Sequence, residues 1–185
     1  MIQQVEVDPL AVLGRAAAGL ELGNLPEEVV QRAKQRVLDT VGCLVAGYEA
    51  GIADEIRSFV SAQGGSAEAT LLPGGQQTTV SLAVLAHATY IHGLELSDAA
   101  PRGTVHPGNE IVPVALAVAE KCRTGGAAII PAIVAGYEVE IRFGRAVFPS
   151  AYYRGWWTPG IFGGIGSAVT AGHMLGLDAK GLDST

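Results

Sequence analysis

The residues best suited to chemistry lie close together in one stretch. His92-Gly93-Leu94-Glu95-Leu96-Ser97-Asp98 sets an imidazole and two carboxylates at three-residue spacing, and Thr104-Val105-His106-Pro107-Gly108 returns a second imidazole nearby. If a helix carries that far, His92/Glu95 and Glu95/Asp98 share a face. Carboxylates and imidazoles take and give protons near neutral pH, which makes this the composition of an acid/base site. Two other readings of the same residues stand beside it. In one, His92 caps a helix end while Glu95 and Asp98 are solvated. In the other, His92, Glu95 and His106 ligate zinc or iron, although His-x-x-Glu with a distant histidine is a loose spacing for a metal.

Arginines and aromatics flank this stretch. Arg102 and Arg154 are candidates to neutralise an anionic ligand in a chain whose net charge is −6. Trp156 and Trp157 either line a pocket or pack. His87 reads as structural, and His173 as a cap or surface residue at a helix C-terminus. Gly163-Gly164-Ile165-Gly166 resembles a dinucleotide loop only superficially, because no strand precedes it and the full spacing is missing. Close helix packing explains it better.

The elements that must hold these residues read as helix after helix. The pattern predicts helices over 9–20, from Asn24-Leu25-Pro26-Glu27-Glu28 to Ala46 with Gly47 as the stop, and over 54–63, 79–94, 110–122, 127–147 and 161–175. Asn109 is a plausible cap for the fifth of these. A further helix opens at Ala179 and is cut off. On the second helix Val30, Ala33, Val37, Val41, Leu44 and Val45 recur at helical spacing and give one apolar face. Residues 69–72 are at most an edge strand or extended connector before the turn Pro73-Gly74-Gly75. Prolines and glycines break 97–108, and 148–159 reads as an aromatic loop. The fold class is therefore all-α, a multi-helix bundle, with 1–185 as a single helical domain expected to be incomplete at its C-terminus.

Composition narrows the class of function. A hydrophobic fraction of 49% with 16% charged residues is globular. No basic run or stripe marks a nucleic-acid partner. Gly155 to Leu177 lacks charged residues, yet its glycines, Pro159 and His173 fit a loop and a buried helix rather than a membrane span. Met1 to Leu10 has neither the basic start nor the apolar core of a secretory signal. Cys43 and Cys122 are far apart and read as buried free thiols, which fits a reducing, cytoplasmic setting.

Four ordered motifs resemble the MmgE/PrpD family. They are Leu25-Pro26-Glu27-Glu28-Val29 through Leu38-Asp39-Thr40-Val41-Gly42 to Ala46-Gly47; the His92 to Ala99 segment with His106-Pro107-Gly108; Gly136-Tyr137-Glu138-Val139 with Arg142; and Arg154-Gly155-Trp156-Trp157-Thr158-Pro159-Gly160-Ile161-Phe162-Gly163 through Leu175-Gly176-Leu177. Three positions depart from the pattern. The family's first Asp is Glu95 here, its Asp-Thr pair is Asp98-Ala99, and a usual His is Trp157.

The resemblance implies a cofactor-free enzyme, without a metal, that makes or breaks a C–H or C–C bond beside a carboxylate of a small polycarboxylate. The family's dehydratases, decarboxylases and epimerases share that step. Glu95 or Asp98 would move the proton, and His106 would act as acid or clamp. His92, Arg102, Arg154 and Trp157 would bind the substrate. The resemblance also implies a homodimer and a smaller lid domain, absent here, with further catalytic groups beyond Thr185. The competing expectation is a noncatalytic helical subunit, or a fragment that needs a complementing chain; the replacements at Ala99 and Trp157 favour it.

Overall fold

Helix α1 (Pro9–Ala18) starts where Asp8 Oδ1 accepts the Leu10 N–H at 3.0 Å and Pro9 fills the first turn, a position that needs no backbone donor. In this computed structural model residues 8–51 and 54–183 are described. Residues 1–7, which carry most of the segment read against a secretory signal, and Ser184-Thr185 of the last expected helix lie outside them.

After a 3-10 turn at Leu22–Asn24, Pro26 leads into α2 (Glu27–Glu49), with Glu27 and Glu28 in the first turn, where the dipole favours negative charge. The helix passes through Gly47 instead of stopping there. A Cβ on Gly47 would collide with the carbonyl oxygen of Tyr90, so this glycine lets α2 and α4 (Val80–His92) touch backbone to backbone. Of the expected apolar face, Val30, Ala33 and Leu44 are buried, while Val45 is exposed.

Helix α3 (Asp54–Gln63) leads to a two-stranded antiparallel hairpin, β1 (Ala69–Leu71) with β2 (Gln76–Thr78), pairing Leu71 with Gln76. The second strand was not expected. Thr79 caps α4 by accepting from the Leu82 N–H. The remaining helices are α5 (Pro107–Cys122), α6 (Gly126–Val147), α7 (Ser150–Tyr153), α8 (Thr158–Met174) and α9 (Ala179–Asp183).

Two helix starts differ from expectation for one reason. Pro107, expected to break the chain, and Pro159, expected to end the aromatic loop, both occupy first turns, so α5 and α8 each begin three residues early. Asn109 is consequently inside α5, and His106 holds the cap position. The segment 148–159 also contains the short α7.

The fold is mainly helical, as expected. Apolar side chains pack in layers. Cys43, Leu44, Val60, Tyr90 and Ile91 join α2, α3 and α4, while Ile111, Val112, Ala115 and Ile133 join α5 and α6. Val139 and Val169 tie α6 to α8. Cys43 is buried, but Cys122, at the last position of α5, is exposed; both are free thiols. Among the described residues no helix is long and apolar enough to cross a membrane.

Candidate active site

Helix α4 ends at His92, where Gly93 N–H bonds back to the Thr89 carbonyl. His92 and Glu95 therefore do not meet along a helix face. The chain makes a tight turn instead, with Glu95 N–H donating to the His92 carbonyl at 2.9 Å and Glu95 in the left-handed region at φ 54°. Non-glycine residues seldom sit there, and such positions cluster at functional sites. The turn brings Glu95 Oε1 to 3.3 Å from His92 Nε2, with the Glu95 side chain 73% exposed.

The other face of His92 is held from α5. Asn109 Nδ2 lies 2.9 Å from His92 Nδ1. An amide nitrogen only donates, so Nδ1 accepts and the ring proton of neutral His92 sits on Nε2, toward Glu95. Asn109 is buried, and its Oδ1 has no partner. The His92 ring also meets His106 edge-on at 6.1 Å between centroids and lies tilted against Trp157 at 5.7 Å.

His106 is fixed by its own loop. Its Nδ1 is 2.9 Å from the Asp98 carbonyl oxygen, an acceptor, so Nδ1 donates and Nε2 is left for other work. Both oxygens of the Asp98 carboxylate accept a hydrogen bond. Oδ1 accepts the Gly108 N–H at 2.9 Å at the start of α5, and Oδ2 accepts the Tyr137 hydroxyl at 3.0 Å. A side chain at residue 108 is not tolerated, because a Cβ would come to 2.6 Å from Asp98 Oδ1 and 2.8 Å from Thr40 Oγ1. Asp98 thus fastens the loop and aims His106.

A cleft of about 440 Å³ opens beside this group, lined by His106 together with Tyr152, Trp156 and Trp157. Trp156 and Trp157 are each about 60% exposed. Of the residues singled out in the sequence, His92, Glu95, Asp98, His106 and Trp157 come together. Arg102 and Arg154 are exposed, lie outside the cleft lining, and pair with no carboxylate among the described residues. Among the described residues no three His, Cys, Asp or Glu side chains converge to hold a metal ion.

Sequence reasoning missed the acidic interior behind the loop. Glu110 on α5 and Glu140 on α6 pack against Gly163 and Gly166 of α8; a Cβ at either glycine would come to 2.7 Å from the facing glutamate. The glycines once compared with a dinucleotide loop therefore make room for two carboxyls. Glu140 is 0% exposed, and neither of its oxygens, nor Glu110 Oε2, has a hydrogen-bond partner. Burial, aided by the negative charge of Asp98, pushes Glu110 up to about 7. Burial, then Glu110, then Asp98 push Glu140 up to about 8. Burial and Asp98 likewise raise the Tyr137 phenol. The i, i+3 glycines of α8 were the available signal, since that spacing opens one helix face to large neighbours.

A profile of the MmgE/PrpD N-terminal domain matches residues 11–185. A cis-aconitate decarboxylase of Aspergillus terreus is 24% identical over 173 residues, which is 90% of this chain and 35% of that protein. The cis-aconitate decarboxylase of Homo sapiens is 26% identical over 176 residues, 89% of this chain and 35% of the relative. A cis-aconitate decarboxylase-like protein, oryM, of Aspergillus oryzae is 23% identical over 173 residues. The chain spans about a third of the length of these relatives.

Proposed function

The chain belongs to the MmgE/PrpD family, and on that premise we propose that it forms the helical, proton-handling part of a lyase or isomerase acting beside a carboxylate of a small di- or tricarboxylic acid. The observation that carries this reading is the contact of Glu95 with His92 Nε2, 3.3 Å apart, with His106 edge-on to the same ring. A carbon next to a carboxylate gives up its proton only to a well-placed base, and the electron pair left behind must be stabilised as an enolate. Glu95, exposed and backed by the His92–Asn109 chain, is the base. His106, with Nε2 uncommitted, takes a proton there and, as the imidazolium, gives it to the departing group or steadies the carboxylate. Asp98 is a positioning residue, because both its oxygens are already engaged.

A second reading is that this domain contributes part of a site completed by further polypeptide, from the same chain or another. The exposed aromatics favour it: Tyr153 is 81% exposed, Trp156 61% and Trp157 62%.

The test is proton exchange. Incubated with a panel of citrate-like acids in heavy water, the protein is expected to place deuterium on the carbon next to a carboxylate in at least one acid, read by NMR. Glu95→Gln and His106→Gln each slow uptake by about 100-fold or more. Absence of uptake in every acid, or full uptake by both variants, overturns the assignment.

A further inference from the structure

The cleft beside the two histidines has the wrong lining for a substrate that carries charge on every arm. Its threonines have no proton to offer. Thr104 Oγ1 donates to the Gly103 carbonyl at 2.8 Å, Thr158 Oγ1 donates to the Thr104 carbonyl, and the two hydroxyl oxygens lie 2.7 Å apart. Each hydroxyl has a single proton, used in these bonds, so the lining side chains left that can donate are His106, Tyr152 and the two indoles, which are otherwise apolar. Among the described residues no lysine or arginine lines the cleft. Tyr152, Trp156 and Trp157 line the cleft as well, and Ala99 adds a methyl group. An ionised group moved there loses its water and finds only His106, at one end of the cleft, to hold it, whereas a hydrocarbon group gains for each CH₂ it buries.

We propose that the arm of the substrate seated in this cleft is an uncharged hydrophobic group, so that the acid handled here is an alkyl- or aryl-substituted dicarboxylate. This rests on the reading that Glu95, His92 and His106 work beside a substrate carboxylate. His106 stands at the junction: its ring lines the cleft and also faces His92. The carboxylates lie on the histidine side, and the hydrophobic arm lies across the indoles.

Trp156 and Trp157 are the two tryptophans of the 185 residues, which gives a direct optical report of the cleft. Titrations with butylsuccinate, phenylsuccinate and propane-1,2,3-tricarboxylate are followed by tryptophan emission. The substituted succinates are expected to shift the emission to the blue and to half-saturate at a concentration at least about tenfold below that of the tricarboxylate. Trp157→Ala brings the half-saturation of the substituted succinates and of the tricarboxylate to within about twofold of each other, and Trp157→Phe keeps most of the preference. Equal or tighter binding of the tricarboxylate, or no emission change with any of the acids, overturns the proposal. The two readings fail separately. Preferred binding of the substituted acids without deuterium uptake by any acid removes the proton chemistry alone. Uptake by the tricarboxylate without a binding preference removes the hydrophobic arm alone.

Discussion

Tyr137 donates its hydroxyl to Asp98 Oδ2 at 3.0 Å. Through that one carboxylate α6 is connected to the first turn of α5, where Oδ1 holds the Gly108 N–H, and to the His106 ring, which bonds the Asp98 carbonyl. A loop rich in proline and glycine is thereby made rigid where an imidazole must be aimed.

Tyr137→Phe keeps the ring and deletes the hydroxyl. Asp98 Oδ2 is then left half-buried without its donor, which costs about 1–3 kcal/mol. Urea unfolding should show that loss. Deuterium uptake should fall further than stability accounts for, because His106 loses its orientation. A variant with unaltered stability and unaltered uptake would show that the contact is incidental.

Gly166 and Glu140 are expected to be energetically coupled. A Cβ at residue 166 would approach Glu140 Oε2 to 2.7 Å and Glu140 Cβ to 3.0 Å. Gly166→Ala should destabilise by about 1–3 kcal/mol through overpacking, offset in part by the helix propensity of alanine. In Glu140→Ala the added methyl finds space, so the double variant should lose less than the sum of the two single ones. Strict additivity in a double-mutant cycle would refute the contact.

The sequence made the helices legible because apolar residues recur at helical spacing, as Val30, Ala33 and Leu44 do along α2. It misled where a residue has two uses. Proline ends a helix or begins one, and only tertiary packing decides that Pro107 and Pro159 begin theirs. Gly47 has the composition of a stop but serves as the contact with Tyr90. The site was half legible. His92, Glu95, Asp98 and His106 share a short stretch, so their types and spacing pointed to one place. Glu110 and Glu140 did not stand out, since each sits in an otherwise ordinary helix and meets its glycine only across the α8 interface.

His87 sets an acid limit on stability. It is buried on α4, and its Nε2 accepts the Leu72 N–H at 2.9 Å from the end of the hairpin. Burial lowers it from 6.5 to about 4. The folded state holds the neutral ring, so the stabilisation is complete above 6.5 and is lost as pH falls toward 4, where the unfolded chain binds the extra proton. His87→Gln should flatten that limb in denaturation series between pH 7 and 4. An unchanged slope would mean that the ring protonates freely in the folded protein.

Glu110 and Glu140 set the opposite limit. Both are raised from 4.5, to about 7 and about 8, so the folded protein favours their neutral forms. The unfolded chain releases these protons from 4.5 upward, while the folded chain keeps them until about 7 to 8. Stability from the neutral carboxyls is therefore complete below 4.5 and is lost as pH rises through that window. Glu110 and Asp98 face Glu140, and a negative charge on either opposes its ionisation. Glu140→Gln keeps the shape without the proton. Its stability relative to the unsubstituted protein should rise between pH 4.5 and 8 by up to about 1.4 kcal/mol per pH unit and level off above. Asp98→Asn removes one source of repulsion, so the folded carboxyls ionise at lower pH: the loss still begins near 4.5 but ends at lower pH and is smaller in total, and in the Glu140→Gln background that reduction should shrink. Parallel stability curves for Glu140→Gln and the unsubstituted chain from pH 5 to 9 would show that Glu140 ionises in place without penalty.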